Sequence, residues 1–151
     1  MTDRAATDLS YEECLDLLGG QRVGRIAVTV GGHPLVFPVN FRIVEELDGG
    51  TLRRLVWIVF RTRPGNVIDT APRYVAFEID HVDPAHRRGW SVLVTGLLHR
   101  VDEAAAEFGD RFDPEPWLAE RDAWLVIEPV QVSGRRITDD GEWAFSTAAY
   151  L

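Results

Sequence analysis

A chain of 151 residues with 46% hydrophobic and 26% charged side chains suits one globular domain and excludes a disordered or fibrous protein. Its net charge of −8 repels nucleic acid and anionic membrane as a whole, so an anionic ligand must meet a local basic site. One cysteine, Cys14, excludes an intrachain disulfide, and neither a secretory-type leader nor a membrane-length apolar run is visible; we therefore expect a cytoplasmic protein without nucleic-acid or membrane partners.

Ser10-Tyr11-Glu12-Glu13 is a capping-box pattern, followed by Leu15, Leu17 and Leu18 and stopped by Gly19-Gly20, which predicts a short helix. Cys14, among these leucines, reads as core filler rather than a nucleophile. Residues 22–30 alternate and are rich in β-branched side chains, as a strand requires, and Gly31-Gly32 makes a tight turn into a second strand from His33 to Glu46. Asp48-Gly49-Gly50 signals another turn and Leu52 to Phe60 a third strand. Pro64 to Ala71 is read as a short helix, Tyr74 to Asp80 as a fourth strand and Trp90 to Val101 as a fifth. Asp102 to Phe108 suits another helix and Trp124 to Val132 a sixth strand. The fold expected is mainly β: a six-stranded antiparallel sheet closed into a barrel, with a few short helices, forming one domain over residues 1–151. The tail 139–151 carries Trp143, Phe145, Tyr150 and Leu151 and is expected to pack on something.

Three constellations bear on chemistry. In Phe60-Arg61-Thr62-Arg63-Pro64-Gly65-Asn66 a strand runs into the predicted helix. Two arginines on one side, a hydroxyl and a glycine at a helix start would make a phosphate cradle; the same pattern also fits a capped helix with solvent-facing arginines. Asp80-His81-Val82-Asp83-Pro84-Ala85-His86 matches no zinc spacing, and Pro84 implies a turn, so it reads as a polar loop and no metal is expected. In Pro38-Val39-Asn40-Phe41 the lone Asn40 either bonds a neighbouring loop or lines a ligand pocket. No nucleophile elbow, Walker loop or cysteine pair is present.

Several pieces in order resemble the pyridoxamine 5′-phosphate oxidase-like split-barrel family, in its small actinobacterial branch, from about Leu9 to Ile137. They are Val23 to Ala27, His33 to Asn40, Phe60-Arg61-Thr62 with Pro64-Gly65, Val75 to Asp80, Gly89 to Gly96, Ile127-Glu128-Pro129 and Ser133 to Ile137. The resemblance implies a six-stranded split barrel, a homodimer, and FMN in a groove between subunits. It assigns the phosphate to Arg61, Thr62, Arg63, Gly65 and Asn66. It places Pro38, Val39 and Asn40 beside the isoalloxazine ring, with Trp90 and Ser91 approaching from the long strand, on the same or the other subunit. The family's small branch has a lysine where this chain has Val67. That departure keeps a deazaflavin or haem open as alternatives to FMN, and a non-catalytic binding protein open beside a flavin-dependent oxidoreductase acting on a small molecule. The catalytic residues and the substrate are not legible.

Overall fold

A computed structural model of the chain describes residues 6–69, 72–101 and 112–137. The elements are β1 (Thr7–Asp8), α1 (Tyr11–Gly20), β2 (Val23–Val30), β3 (His33–Leu47), β4 (Arg54–Thr62), β5 (Arg73–Asp83), β6 (Arg88–Arg100) and β7 (Ala123–Ile137). The predicted helix at 102–108 and the tail 139–151 lie outside the described residues.

The six long strands pair antiparallel in the order β7-β4-β3-β2-β5-β6, and β6 pairs again with β7, so the sheet is a closed ring. This is the expected split-barrel architecture, with the two-residue β1 added alongside Arg135 and Arg136 of β7. Closure follows from the length of β7. Its first residues, Ala123 to Ile127, pair with β4, while Leu125 to Ile137 pair with β6. The register of β6 and β7 slips between Thr95 and Gly96, where Gly96 faces Pro129. Proline has no N–H to give to the ladder, and a bulge is the place in a sheet that tolerates one. A Cβ on Gly96 would lie 2.3 Å from the Glu128 carbonyl oxygen, so only glycine allows the approach.

Alternation sorts the strand side chains. Ile26, Phe41, Ile58, Phe60, Phe77, Val94 and Ile127 fill the interior. Phe41 meets Phe77 edge-to-face at 4.9 Å, a favoured aromatic geometry. Helix α1 plugs the barrel with Cys14, Leu15 and Leu18. Its predicted capping box is present: the Ser10 hydroxyl accepts from the Glu13 N–H at 3.2 Å, and the Glu13 carboxylate accepts from the Ser10 N–H at 2.8 Å. These bonds hold the Glu13 carboxyl below its ordinary value. The helix seats on β7 at Gly134, where a Cβ would come within 2.8 Å of the Cys14 sulfur. Burial raises the Cys14 pKa, which leaves the thiol inert and agrees with a packing role.

Two expectations change. Residues 64–69 form turns, so no helix follows β4 and its N-terminal amides are not available to an anion. Gly65 sits at φ +77°, and the Asn66 side chain accepts from the N–H groups of Ile68 and Asp69 at 2.9 and 3.0 Å. A left-handed residue followed by an Asx turn competes with helix formation. Of the expected helices, the one after β4 is therefore absent among the described residues. The His81 segment belongs to β5, which runs on to Asp83. Only Pro84 to Arg87 turn, with Asp83 accepting from the backbone and ring of His86.

Replacing Gly96 by alanine forces a methyl group into the Glu128 backbone and is expected to destabilise by about 1–3 kcal/mol, as overpacked sites do. Gly20→Ala, at the end of α1 with no atom within 4 Å, is expected to be neutral or to stabilise by up to about 1 kcal/mol. Urea titrations of both variants check the contrast.

Candidate functional site

Most of the site residues expected from sequence lie near the end of β4, Trp90 and Ser91 apart. Strand alternation turns Thr62 into the barrel, buried, and sends Arg61 to the outer face. There Arg61 lies over the Trp124 ring at 5.0 Å, beside an outer apolar cluster of Val44, Val59, Val126, Trp57 and Phe112. Phe41 of β3 faces Phe60 in the last rung of the β3–β4 ladder. Asn40 and Arg61 are therefore the next residues beyond it, and the fold brings these two together. Val39 points inward against the core, while Pro38 and Asn40 occupy the outer face opposite Arg25 and Val23.

The polar side chains here find partners within the chain. The Arg61 Nε donates to the Arg121 carbonyl at 2.7 Å. Its Nη1 reaches both Asp113 oxygens at 3.1 Å, and its Nη2 lies 3.8 Å from Asp122. Exposed Arg63 pairs with Glu120 at 3.1 Å, and Arg42 of β3 with Glu115 at 3.4 Å. Asn66 donates to the Thr62 hydroxyl at 2.5 Å, and the Gly65 N–H donates to Asp69 at 2.8 Å. The Asn40 side-chain oxygen accepts from the Trp117 N–H at 3.1 Å, so the structure realises the loop-bonding reading of this residue. Val67 is 40% exposed, and its carbonyl accepts from Arg73.

The strap from Asp113 to Asp122, which delivers the chain into β7, was not singled out in the sequence. Its signal was there: four carboxylates, two prolines and a tryptophan in ten residues between two strands. A long connection of such composition is unusual in a compact domain and is commonly functional.

Trp90 and Ser91 are not part of this cluster. Trp90 pairs with Arg136 near the end of β7, whereas Arg61 pairs with Trp124 near its start. Twelve residues of strand are roughly 40 Å of chain, so one molecule holds the two groups at opposite ends of β7. Trp90 instead borders an open hollow of about 380 Å³ with His81, Arg88, Arg136 and Ile137. Its ring lies 6.5 Å from that of His81, and Arg88 pairs with Asp83 at 3.3 Å.

A third feature lies on the outer face of β2 and β5. Arg25 reaches Glu78 at 3.1 Å and Asp80 at 3.4 Å. Burial and the neighbouring Asp80 push the Glu78 pKa up to about 7, against the opposing pull of Arg25. Among the described residues no helix is long and apolar enough to cross a membrane, and no three His, Cys, Asp or Glu side chains are placed to share a metal ion.

A closed six-strand ring plugged by one helix, with polar and aromatic groups gathered at strand ends, defines a split-barrel protein. The chain belongs to the pyridoxamine 5′-phosphate oxidase family, which matches residues 10–136. It is 32% identical to the uncharacterised protein Rv0080 of Mycobacterium tuberculosis over 138 residues, 91% of this chain and 89% of that one. Among solved structures, the FAD binding protein from Mycobacterium smegmatis is 31% identical, with a TM-score of 0.61 over 88% of this chain and 99% of that one. A conserved protein of unknown function from Corynebacterium diphtheriae is 28% identical, with a TM-score of 0.69 over 88% and 98%.

An unfolded glutamate loses its proton near pH 4.3, and folded Glu78 near 7. The folded chain thus keeps a proton that the unfolded chain gives up, and the Glu78 contribution falls as pH rises between about 4.5 and 7. Glu78→Gln, which cannot ionise, is expected to exceed wild-type stability at pH 8 by on the order of 1 kcal/mol and to lose that advantage at pH 4.5. Denaturant midpoints at the two pH values check this.

Proposed function

We propose that this chain is a flavoprotein that binds FMN as a homodimer and passes electrons through the flavin to a small molecule. The observation that carries the flavin is the 31% identity, across nearly the whole of its length, to a relative that is an FAD binding protein. That relative also favours FAD as a second reading. Both nucleotides carry a phosphate on the ribityl 5′ oxygen, and the strand-end arginines bear on that shared group.

The residue types suit the task. Arg61 offers a planar fork for phosphate, Arg63 and Arg42 add positive charge beside it, and Asn40 offers an amide at the neighbouring strand end. In the arrangement described these groups are paired with the strap, so a phosphate has to take over contacts that Asp113 now holds. The flavin supplies the electron chemistry. The chain binds and orients it, with Pro38, Val39 and Asn40 as the edge against which a planar ring system would rest.

Two observations support a homodimer. Trp90 and Arg61 can serve one bound flavin only if they come from different molecules, because one chain holds them at opposite ends of β7. The outer face of β3, β2 and β5 also presents a row of Val36, Ala27 and Ala76, with Tyr74 exposed nearby, which is a surface suited to a second copy.

Freshly purified protein is expected to show a flavin absorption spectrum, or to acquire one on reconstitution with FMN or FAD; a chain that binds neither refutes the proposal. Arg61→Ala removes a charge-assisted contact and is expected to weaken FMN binding by roughly 1.5–3 kcal/mol, about ten- to a hundredfold. Arg88→Ala, which lies beside Trp90 and is paired with Asp83, should weaken it less. Light scattering at micromolar concentration is expected to give twice the chain mass of 17.0 kDa.

A further inference from the structure

The strap 113–122 has four carboxylates and one guanidinium, and all four carboxylates lie on arginines of β3 and β4 or the turn after it. Asp113 and Asp122 take Arg61, Glu115 takes Arg42 and Glu120 takes Arg63. The Arg121 carbonyl takes the remaining Nε donor of Arg61, and the Trp117 N–H takes the Asn40 amide oxygen. A segment that only bridged two strands would not need a carboxylate for each strand-end cation. Its two largest apolar side chains, Trp117 and Leu118, are 81% and 65% exposed, so apolar burial of the strap's centre is not what holds it down. Its Pro114 is buried, and the other contacts that hold it are the ion pairs and the hydrogen bonds just given. Glu115 and Glu120 also sit at positive φ, +50° and +59°, a conformation unfavourable for such residues that the pairing must offset.

We propose that the strap is an internal anion: its Asp113 carboxylate occupies the guanidinium that takes a ligand phosphate, and the phosphate binds by displacing it. The proposal rests on the phosphate reading of Arg61. Carboxylate and phosphate compete for the same N–H groups of a planar fork. With the strap in place its four carboxylates balance Arg42, Arg61, Arg63 and its own Arg121, so the end of β4 offers an anion no net attraction. When Asp113 leaves, one positive charge is in excess. The strap therefore favours ligands that carry a phosphate strong enough to replace it, and it discriminates against weaker anions such as carboxylates. The exposed faces of Trp117 and Leu118 travel with it, so phosphate binding is coupled to the position of an aromatic side chain at the end of the barrel.

The test titrates the full-length protein with FMN and with riboflavin, which lacks the phosphate, following flavin fluorescence. Asp113→Asn keeps the shape and removes the charge. It is expected to tighten FMN about three- to tenfold, to leave riboflavin unchanged, and to give no gain in an Arg61→Ala background. Glu120→Gln, whose pair with Arg63 is exposed, is expected to give a smaller gain of the same sign. If Arg61→Ala weakens FMN while Asp113→Asn leaves it unchanged or weakens it too, Asp113 orients Arg61 instead of competing with the ligand, and the strap proposal is overturned alone. An equal gain for riboflavin overturns it as well. If Arg61→Ala binds FMN like the wild type, the phosphate reading itself fails, and the strap proposal with it.

Discussion

Ring closure through β7 is the constraint on which the rest of this structure depends. One strand of fifteen residues pairs with β4 at its start and with β6 along most of its length. A barrel closed in this way has no long unpaired edge, and it encloses a core that neither half of the sheet could bury alone. The closure requires the chain to bend, and the bend falls where Gly96 and Pro129 meet, one lacking a Cβ and the other an N–H. The same strand receives α1 at Gly134. Two glycine contacts thus fix both the ring and its plug.

Closure also dictates where charged groups meet. Because Ala123 pairs with Thr62, whatever leads into β7 has to pass the end of β4. The acidic strap is that segment, and the arginines it crosses belong to β3, β4 and the turn beyond. The long span of β7 has the opposite effect on Trp90, which it carries to the far end of the strand from Arg61.

The barrel's outer face is less uniform than its interior. Toward β4 and the start of β7 it is apolar enough to bury Val59 and Val126 under two tryptophans. Toward β2 and β5 it places two carboxylates around Arg25, close enough that one of them resists losing its proton. An outer surface with a buried apolar corner and a partly desolvated ionic one is not simply a solvated wall. The ionic corner lies next to the row of Val36, Ala27 and Ala76, two residues along β2 and β5.

Local chemistry settled much of this protein from sequence. The capping box of α1, the Asx turn at Asp48, whose side chain accepts from Gly50 and Thr51, the tight turn at Gly31-Gly32 and the alternation of six strands are short-range effects, and each was legible because its cause lies within a few residues. The resemblance that named the family rested on the same strands. The tertiary structure decided what no local pattern encodes. It melted the expected helix after β4, because the Asn66 side chain and a left-handed Gly65 satisfy the backbone there in another way. It carried β5 into the polar His81 segment as far as Asp83 and started β6 at Arg88, since pairing with a neighbouring strand stabilises extended backbone whatever its composition. It separated Trp90 from Arg61 and drew Asn40 toward it. It also laid the carboxylates of 113–122 on arginines between 50 and 80 positions away along the chain, because charge pairing depends on distance in space, and only the closed ring sets that distance.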